Sequence, residues 1–597
     1  MFNSIKELVL LLDKKQRKKL YILQILIIFM SLLEILGIVS IVPFMKIVAD
    51  PTLLENSRIF SYFYTLSNVE STYDFLFIIG LLVLFIISIS SVLSIYTTWK
   101  LLSFGSRTGM EIGDKLYAYY MSQPWLFHVS TNSSLLTKQI SQEAIRVTSE
   151  MILPLLQLNA KIILLIFLII TIFFFEPYVA LFGFIIFVLA YISMYRIVKE
   201  KVYRNGVIIT STAKDRFKLM NEGFGGIKDT ILLGKKDVFI AKFSSAGDKY
   251  AKSHSTNLSL IKTPRYFVEF IAISSFIFLI LYLIMAKGGD LSKILPLLSV
   301  YALAGLKILP ATQQIYTHIT TIKGALPAFN TIKKDLYDSR ATSNNNASTS
   351  NFSFPKQNII LDKISFTYPN KKISALQEVC IEIPVNKVIG IVGTSGSGKS
   401  TVIDILLGLL KSDAGDILAD GIPINGEQVR NWQKNIGYVP QSIFLLDGSI
   451  AENIAFGVDI EEIDMKKVKR VVETVHLNEL VDELPDGILS QVGEQGVQLS
   501  GGQRQRIGIA RALYYDADLL VFDEATSALD GITEKLIMNA IHEFSGKKTI
   551  VLIAHRLKTI EKCDIIYILD KGRVVDSGTY LELIEKNQDF KKMALHA

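Results

Sequence analysis

Six stretches of about 20 predominantly apolar residues, near 20–46, 72–98, 151–175, 178–197, 264–286 and 291–313, constrain this chain more than any other feature. A segment of that length immersed in lipid must satisfy its backbone N–H and C=O groups internally, so each is expected to be a helix. Composition agrees: 50% of the 597 residues are hydrophobic and the mean hydropathy is +0.37, far from the balance of a soluble two-domain enzyme. The third and fourth stretches are separated only by Glu176, Pro177 and their neighbours, which predicts a tight hairpin on the far side of the membrane.

Basic residues orient the spans. Lys14, Lys15, Arg17, Lys18 and Lys19 precede the first, and the long loops after the second and fourth are rich in Lys and Arg, which places the N-terminus and both loops in the cytoplasm. Between Lys46 and Tyr73 the basic residue on the outer side is Arg58. The net charge of +7 is then a topology signal; no basic face with interleaved aromatics marks a nucleic-acid partner. Phe2, Ile5, Leu8, Val9 and Leu12 recur at helical spacing beside Lys6, Glu7 and Asp13, the pattern of an amphipathic elbow on the inner surface rather than a cleavable leader. The two cysteines, Cys380 and Cys563, have no metal-ligand spacing and read as buried thiols.

The remainder of the chain carries chemistry. Gly393-Thr394-Ser395-Gly396-Ser397-Gly398-Lys399-Ser400 fits G-x-x-x-x-G-K-[ST] between an apolar strand, Val388 to Val392, and a helix, Thr401 to Leu410. Glycines allow successive backbone N–H groups to converge on phosphate at the helix N-terminus, Lys399 reaches the outer phosphates, and Ser400 reaches Mg2+. Downstream, Leu519 to Phe522 is an apolar run that ends on Asp523, as a buried parallel strand delivering a magnesium carboxylate would. Glu524 follows at once, positioned to take a proton from the attacking water as general base.

Upstream of that strand stands Leu499-Ser500-Gly501-Gly502-Gln503, followed by Arg504-Gln505-Arg506 and a helical run to Leu513. With these residues the chain resembles the ATP-binding cassette (ABC) superfamily. The resemblance implies that Ser500 and Gly502 contact the γ-phosphate of ATP held by an opposing subunit, with Gly501 and Gln503 in the same ATP-binding signature. It implies that Tyr368 stacks on adenine, that Thr401 belongs to the ATP site with the cradle residues, and that Gln441 of Tyr438-Val439-Pro440-Gln441 touches the magnesium ion and couples to the membrane domain. Asp530 of Ser527-Ala528-Leu529-Asp530 is implied to act across a dimer, and His555 to act as the switch histidine on the γ-phosphate.

A Thr/Ser/Asn-rich stretch, 341–353, lacks periodicity and apolar content and reads as a linker between a membrane domain, 1–340, and a nucleotide-binding domain, 354–597. The expected fold is an all-α six-helix transmembrane domain followed by an α/β P-loop cassette, in the type IV ABC exporter architecture. One cassette and one signature make half of such an exporter, so a homodimer in the bacterial inner membrane, with the cassettes in the cytoplasm, is the implied assembly. Residues 123–140 and 224–237 are expected to form docking turns, with Gly225, Gly226 and Gly234 breaking the helices around the second.

For the cargo, Glu34, Pro43 and an external segment in which Ile59, Phe60, Phe63 and Leu66 share a helical face resemble lipid-linked oligosaccharide flippases of the PglK type, as do Pro264-Arg265-Tyr266 and Glu269. That resemblance implies a polyprenyl-diphosphate glycan as the lipid-linked substrate. Arg265, Lys307 and Lys161 fall on the inner half of the bilayer, where cations are costly and often functional. Two readings stand for them: a basic lining for a pyrophosphate headgroup, or structural cations, with Lys161 snorkelling and Arg265 paired to Glu269 or Glu34. Gln314 and Ser90 stand where those flippases carry arginines, leaving a lipopolysaccharide precursor, a peptide or a drug-like amphiphile as alternatives. Intact Ser500, Glu524 and His555 argue against a non-transporting channel or sensor, and six spans argue against the soluble ABC proteins.

Overall fold

The computed structural model describes residues 2–49, 51–52, 54, 57–67, 69, 71–175, 177–286, 291–342, 353–369, 371–426, 428–493, 496–524, 531–554 and 557–595. It divides into two units: 1–123 with 128–345, and 346–597 together with the four residues Pro124–Phe127. Most of the predicted linker, 343–352, lies outside the described residues.

The regular elements of the first unit, among its described residues, are helices. After an elbow, Phe2–Leu10, come helices Lys14–Val39, Thr72–Met121, Leu153–Phe175, Pro177–Gly225, Pro264–Ala286 and Leu291–Thr342, one at each predicted span. Four segments are apolar and long enough to cross a membrane over their described residues: Lys14–Val48, Thr72–Met121, Ser133–Phe174 and Lys236–Tyr282. Phe77, Leu81, Leu84, Phe85 and Val92 stand exposed along one of them, as residues facing lipid rather than water do. Helix Pro177–Gly225 and helix Leu291–Thr342 approach closely at Gly206, where an added Cβ would lie 2.2 Å from the Gly324 carbonyl oxygen. Tyr120, near the end of helix Thr72–Met121, donates to Asp335 at 2.6 Å, and buried Lys138 pairs with Glu143 at 2.5 Å while donating to the Thr210 carbonyl at 3.0 Å. Arg340 and Arg17 donate to the carbonyls at the end of the elbow, so the last turn of that helix is satisfied by cations.

Two expectations change here. The external helix, Arg58–Leu66, forms as predicted, but Phe60 and Tyr64, one turn apart, pack on Ile47, Leu54 and Phe75, while Phe63 and Leu66 are exposed. The pairing partner is Tyr64, an amphipathic ring that an apolar count omits. Cys563 is buried, but Cys380 is exposed, because it lies on the outward face of its strand.

The second unit holds two sheets. One has the order β2-β1-β4-β5, antiparallel, with β1 (Asn358–Phe366), β2 (Leu376–Pro384), β4 (Ala414–Ala419) and β5 (Ile422–Pro423). The other has the order β10-β9-β3-β8-β7-β6, built from β3 (Val388–Gly393), β6 (Ile436–Val439), β7 (Leu519–Asp523), β8 (Thr549–Ile553), β9 (Ile565–Asp570) and β10 (Arg573–Gly578). Its strands are parallel except β10. In β3, β7 and β8 the side chains alternate between two cores: Val388, Val392, Leu520, Phe522, Ile550 and Leu552 join one, and Ile389, Ile391, Leu519, Val521, Val551 and Ile553 join the other. A parallel strand covered on both faces reads as a continuous apolar run, which is why β3 and β7 were visible in the sequence. The register sets Ile391, Ile553 and Asp523 side by side, so the carboxyl ends of β3 and β7 stand two strand spacings apart, about 10 Å.

Candidate functional site

Ligands in open α/β sheets gather beyond the carboxyl ends of the strands, and the predicted phosphate residues meet there. β3 runs into the cradle at Gly393, where an added Cβ would come within 2.2 Å of the Leu569 carbonyl oxygen and 2.6 Å of Ser397 Oγ. Gly396 and Gly398 hold φ of +80° and +106°, and above Gly396 there is open space for a close-lying ligand. The cradle is closed by Ser397 N–H donating to the Thr394 carbonyl at 3.1 Å and by Gly572 N–H donating to the Ser397 carbonyl at 2.9 Å. Helix Lys399–Leu406 follows, ending before the expected Leu410 as the chain turns at Gly408, φ +66°. Lys399 Nζ donates to the carbonyls of Gly393 (2.9 Å) and Thr394 (3.1 Å), and burial lowers its pKa against the pull of Glu524 and Asp523.

Two observations fit this cradle to a nucleotide phosphate. Ser397 is 2% exposed and its hydroxyl has no hydrogen-bond partner. A buried hydroxyl without a partner costs stability unless a ligand supplies one. The side-chain donors placed for a cation, Ser400, Gln441 and Asp523, are hard oxygens that suit Mg2+ better than a soft metal, and no cluster of three His, Cys, Asp or Glu residues exists among the described residues.

At the end of β7, Tyr438 on the neighbouring β6 donates its hydroxyl to Asp523 Oδ2 at 3.5 Å. Burial and the neighbouring carboxylates Asp523 and Asp404 hold that phenol protonated, well above its ordinary pKa. Glu524 turns out of the strand at φ +50°, an unfavourable region for a non-glycine residue that costs roughly 1–3 kcal/mol. Its N–H donates to the Ile553 carbonyl at 3.1 Å, and Gln441 Nε2 donates to its Oε2 at 2.7 Å. The carboxylate is thus held by the same glutamine that is expected near the cation.

Tyr368 lies at the other side of the cradle. Its hydroxyl is 3.3 Å from Thr401 Oγ1, and its ring packs edge-on against Phe366 at 5.0 Å. Ser500 caps helix Gly501–Tyr514: Gln503 N–H donates to Ser500 Oγ at 3.2 Å, and Ser500 N–H donates to Gln503 Oε1 at 2.8 Å. Ser500 is exposed, so the signature presents a helix N-terminus to the surroundings, the anion-binding end of a helix. Asp530 and His555 lie outside the described residues.

Trp125, Asp404 and Tyr438 were not singled out by the sequence as site residues. Asp404 is the one carboxylate in an otherwise apolar run, Val402-Ile403-Asp404-Ile405-Leu406, and that isolation was the available signal. Its pKa is pushed up to about 6, chiefly by burial, with a hydrogen bond from Trp125 acting the other way.

In the membrane unit two of the three candidate cations are paired with carboxylates. Arg265 pairs with Glu269 at 2.5 Å, one turn along the same helix, and Lys307 pairs with Glu34 across two helices. Lys161 is half-buried on helix Leu153–Phe175. Carboxylates thus face two of the three, and the pairing of Arg265 with Glu269 is the structural alternative raised by the sequence.

With this geometry in place, comparison with known proteins adds the following. Residues 376–527 match the ABC transporter family and residues 39–299 match the ABC transporter transmembrane region. The chain is 40% identical over 233 residues to an ATP-dependent lipid A-core flippase of Cupriavidus pinatubonensis, a match covering 39% of this chain and 40% of that one. A protein of the same name from Vibrio vulnificus is 40% identical over 238 residues, covering 40% and 41%, and one from Pseudomonas syringae is 42% identical over 234 residues, covering 39% and 38%. The matches thus span about two-fifths of the length of these relatives. Among solved structures, a bacterial Atm1-family ABC exporter with ATP bound superposes with a TM-score of 0.78 over 98% of this chain and 99% of its own, at 21% identity. The fold is that of a type IV ABC exporter half: a unit of membrane-length helices followed by an α/β cassette.

Proposed function

We propose that this chain is one half of an ATP-driven exporter that moves an amphiphilic lipid outward across a bacterial inner membrane, working as a homodimer. The observation that carries the reading is the meeting of the glycine cradle, Lys399, Asp523 and the Gln441–Glu524 pair at the ends of β3 and β7 in a chain whose other unit is built of membrane-length helices. Ser397, Lys399 and the cradle N–H groups bind the phosphates, and Tyr368 offers its ring to the base. Ser400, Gln441 and Asp523 would hold Mg2+, which when bound neutralises phosphate charge. Glu524, steadied by Gln441, accepts the proton of the attacking water. Ser500 of the partner subunit closes the site from the opposite cassette, with Asp530 and His555 in their expected roles. Closure on ATP and release after hydrolysis bias the helical unit between inward and outward states.

The favoured cargo is a lipopolysaccharide precursor of the lipid A-core class, supported by the names of the relatives that match about two-fifths of their length. A polyprenyl-diphosphate oligosaccharide is the second reading, favoured by the exposed Tyr62, Phe63 and Leu66 of the external helix, an apolar face suited to a lipid chain. ATP hydrolysis by the full chain in proteoliposomes, titrated with each lipid, separates them. Severalfold stimulation by the lipid A-core species alone supports the first; stimulation by the polyprenyl species alone replaces it with the second.

A further inference from the structure

The segment that follows Gln441 grips the signature helix, Gly501–Tyr514, along its length. Near the start of the helix, an added Cβ at Gly496 would lie 2.6 Å from Leu445 Cδ1 and 3.3 Å from Arg504 Cδ. At its middle, an added Cβ at Gly508 would lie 2.5 Å from Ile443 Cδ1, so Ile443 is seated on the helix backbone. At its last turn Arg511 donates from Nε to the Asn453 carbonyl at 2.8 Å and from Nη2 to Asn453 Oδ1 at 3.4 Å. The guanidinium lies 4.6 Å from the centre of the Phe456 ring. Asn453 is 0% exposed, and each polar atom it carries is engaged. Its N–H donates to the Ser449 carbonyl at 3.0 Å, Oδ1 accepts from the Leu446 N–H at 2.8 Å, and Nδ2 donates to the Leu446 and Ser449 carbonyls at 3.1 and 3.0 Å.

From this arrangement we infer that Asn453 and Arg511 form a buried strut that fixes the signature helix, and with it Ser500, to the segment led by Gln441. Both are then positioning residues for ATP hydrolysis, an inference that rests on the proposed nucleotide site and dimer. A guanidinium is planar, so two bonds from it to one residue set an angle as well as a distance. Asn453 passes that angle on because three side-chain bonds to the 446–449 turn lock its own rotamer. Ser500 stands at the opposite end of the helix from Arg511, about 16 Å away at about 1.5 Å per residue. A tilt of about 4° at the strut therefore carries Ser500 through about 1 Å, a misplacement that costs about 10²-fold in rate. The same segment begins at Gln441, which donates to Glu524 at 2.7 Å, so the strut joins a group of the chain's own site to the group offered to its partner. The cradle is packed separately: Val402 and Ile405 of its helix join one core, whereas Ile450, Ile507 and Ala510 around the strut join the other. Loss of the strut thus spares nucleotide binding to the cradle.

The test uses the full chain in proteoliposomes and reads steady-state hydrolysis, displacement of a fluorescent nucleotide and the unfolding temperature of each variant. R511M keeps an unbranched side chain and removes both donors; kcat should fall by about tenfold or more, while nucleotide affinity stays within about threefold. G508A leaves the hydrogen bonds of the strut intact but drives a methyl group into Ile443, and should slow hydrolysis by about three- to tenfold. G508A/I443A removes the three side-chain atoms that the new Cβ would meet, and should return kcat to within about twofold of the wild type. In R511M, a lowered unfolding temperature with kcat within about twofold of the wild type is the pattern of a purely structural contact and would overturn the strut, as would a nucleotide affinity that falls in step with kcat. G508A at the wild-type rate would overturn it equally, and does not depend on R511M folding. S500A at the wild-type rate, or wild-type protein that binds no nucleotide, would overturn the site reading itself, and the strut with it.

Discussion

Replacing Glu524 by Gln isolates one step of the proposed chemistry. The backbone at 524 is fixed by its φ of +50° and by the 3.1 Å bond from its N–H to the Ile553 carbonyl, neither of which depends on the side-chain charge. Gln441 donates to Glu524 Oε2 at 2.7 Å, and the amide oxygen of a glutamine at 524 can still accept that bond. The substitution therefore removes proton acceptance and little else. A positioned general base contributes about 10²- to 10⁴-fold, or about 3–5 kcal/mol of barrier. Steady-state ATP hydrolysis in proteoliposomes should fall by that factor in E524Q, while ATP affinity, read by displacement of a fluorescent nucleotide, stays within about threefold. Q441A removes the donor instead, and the loss of one hydrogen bond to a charged group, about 1.5–3 kcal/mol, should slow turnover by roughly 10- to 100-fold. Hydrolysis by E524Q at a third or more of the wild-type rate would remove Glu524 from the base role and leave the 2.7 Å pair as a structural contact.

Three further outcomes are expected. S500A removes a helix cap worth about 1 kcal/mol, which lowers the unfolding temperature of the cassette by only a few degrees; the proposed dimer, in which the exposed serine completes the partner's site, predicts that hydrolysis falls by far more, and equal small losses in both would refute that. W432F deletes the 2.7 Å bond from a fully buried indole to the Leu406 carbonyl and should cost about 1–3 kcal/mol in denaturant unfolding, with no loss meaning that Leu406 finds another donor. For Lys307 and Glu34, if the pair is structural, K307Q and E34Q should each reduce thermal stability and the double variant should recover part of it; additive losses, with transport lost in K307Q alone, would favour a headgroup role for the lysine.

Much of the fold was legible because it is local. The apolar run Leu519–Phe522 and the glycine pattern 393–398 each dictate their own geometry, and the structure ends β7 on Asp523 as the sequence implied. The six long helices likewise follow from segment length and the need to satisfy backbone groups in lipid. What stayed hidden is contact between residues far apart in the chain. The pairing of Lys307 with Glu34 joins residues 273 positions apart, and nothing in either segment names the other. The bond from Trp125 to Asp404 was hidden for the same reason, although a lone carboxylate in an apolar helix should itself have prompted a search for its donor. The external helix misled because Tyr64 buries a ring while counting as polar, so Phe60 found its partner one turn away rather than at Phe63.

Outward movement of lipid tests the central claim most directly. Proteoliposomes holding the full chain would receive a fluorescent lipid A-core species, and its appearance on the opposite leaflet would be followed by a membrane-impermeant quencher, with ATP, without ATP, and with E524Q. The account predicts movement that requires ATP and is lost in the variant. Robust ATP hydrolysis by the wild type with no movement of this lipid or of a polyprenyl-diphosphate oligosaccharide would contradict it, leaving an active ATPase whose cargo is not a glycolipid.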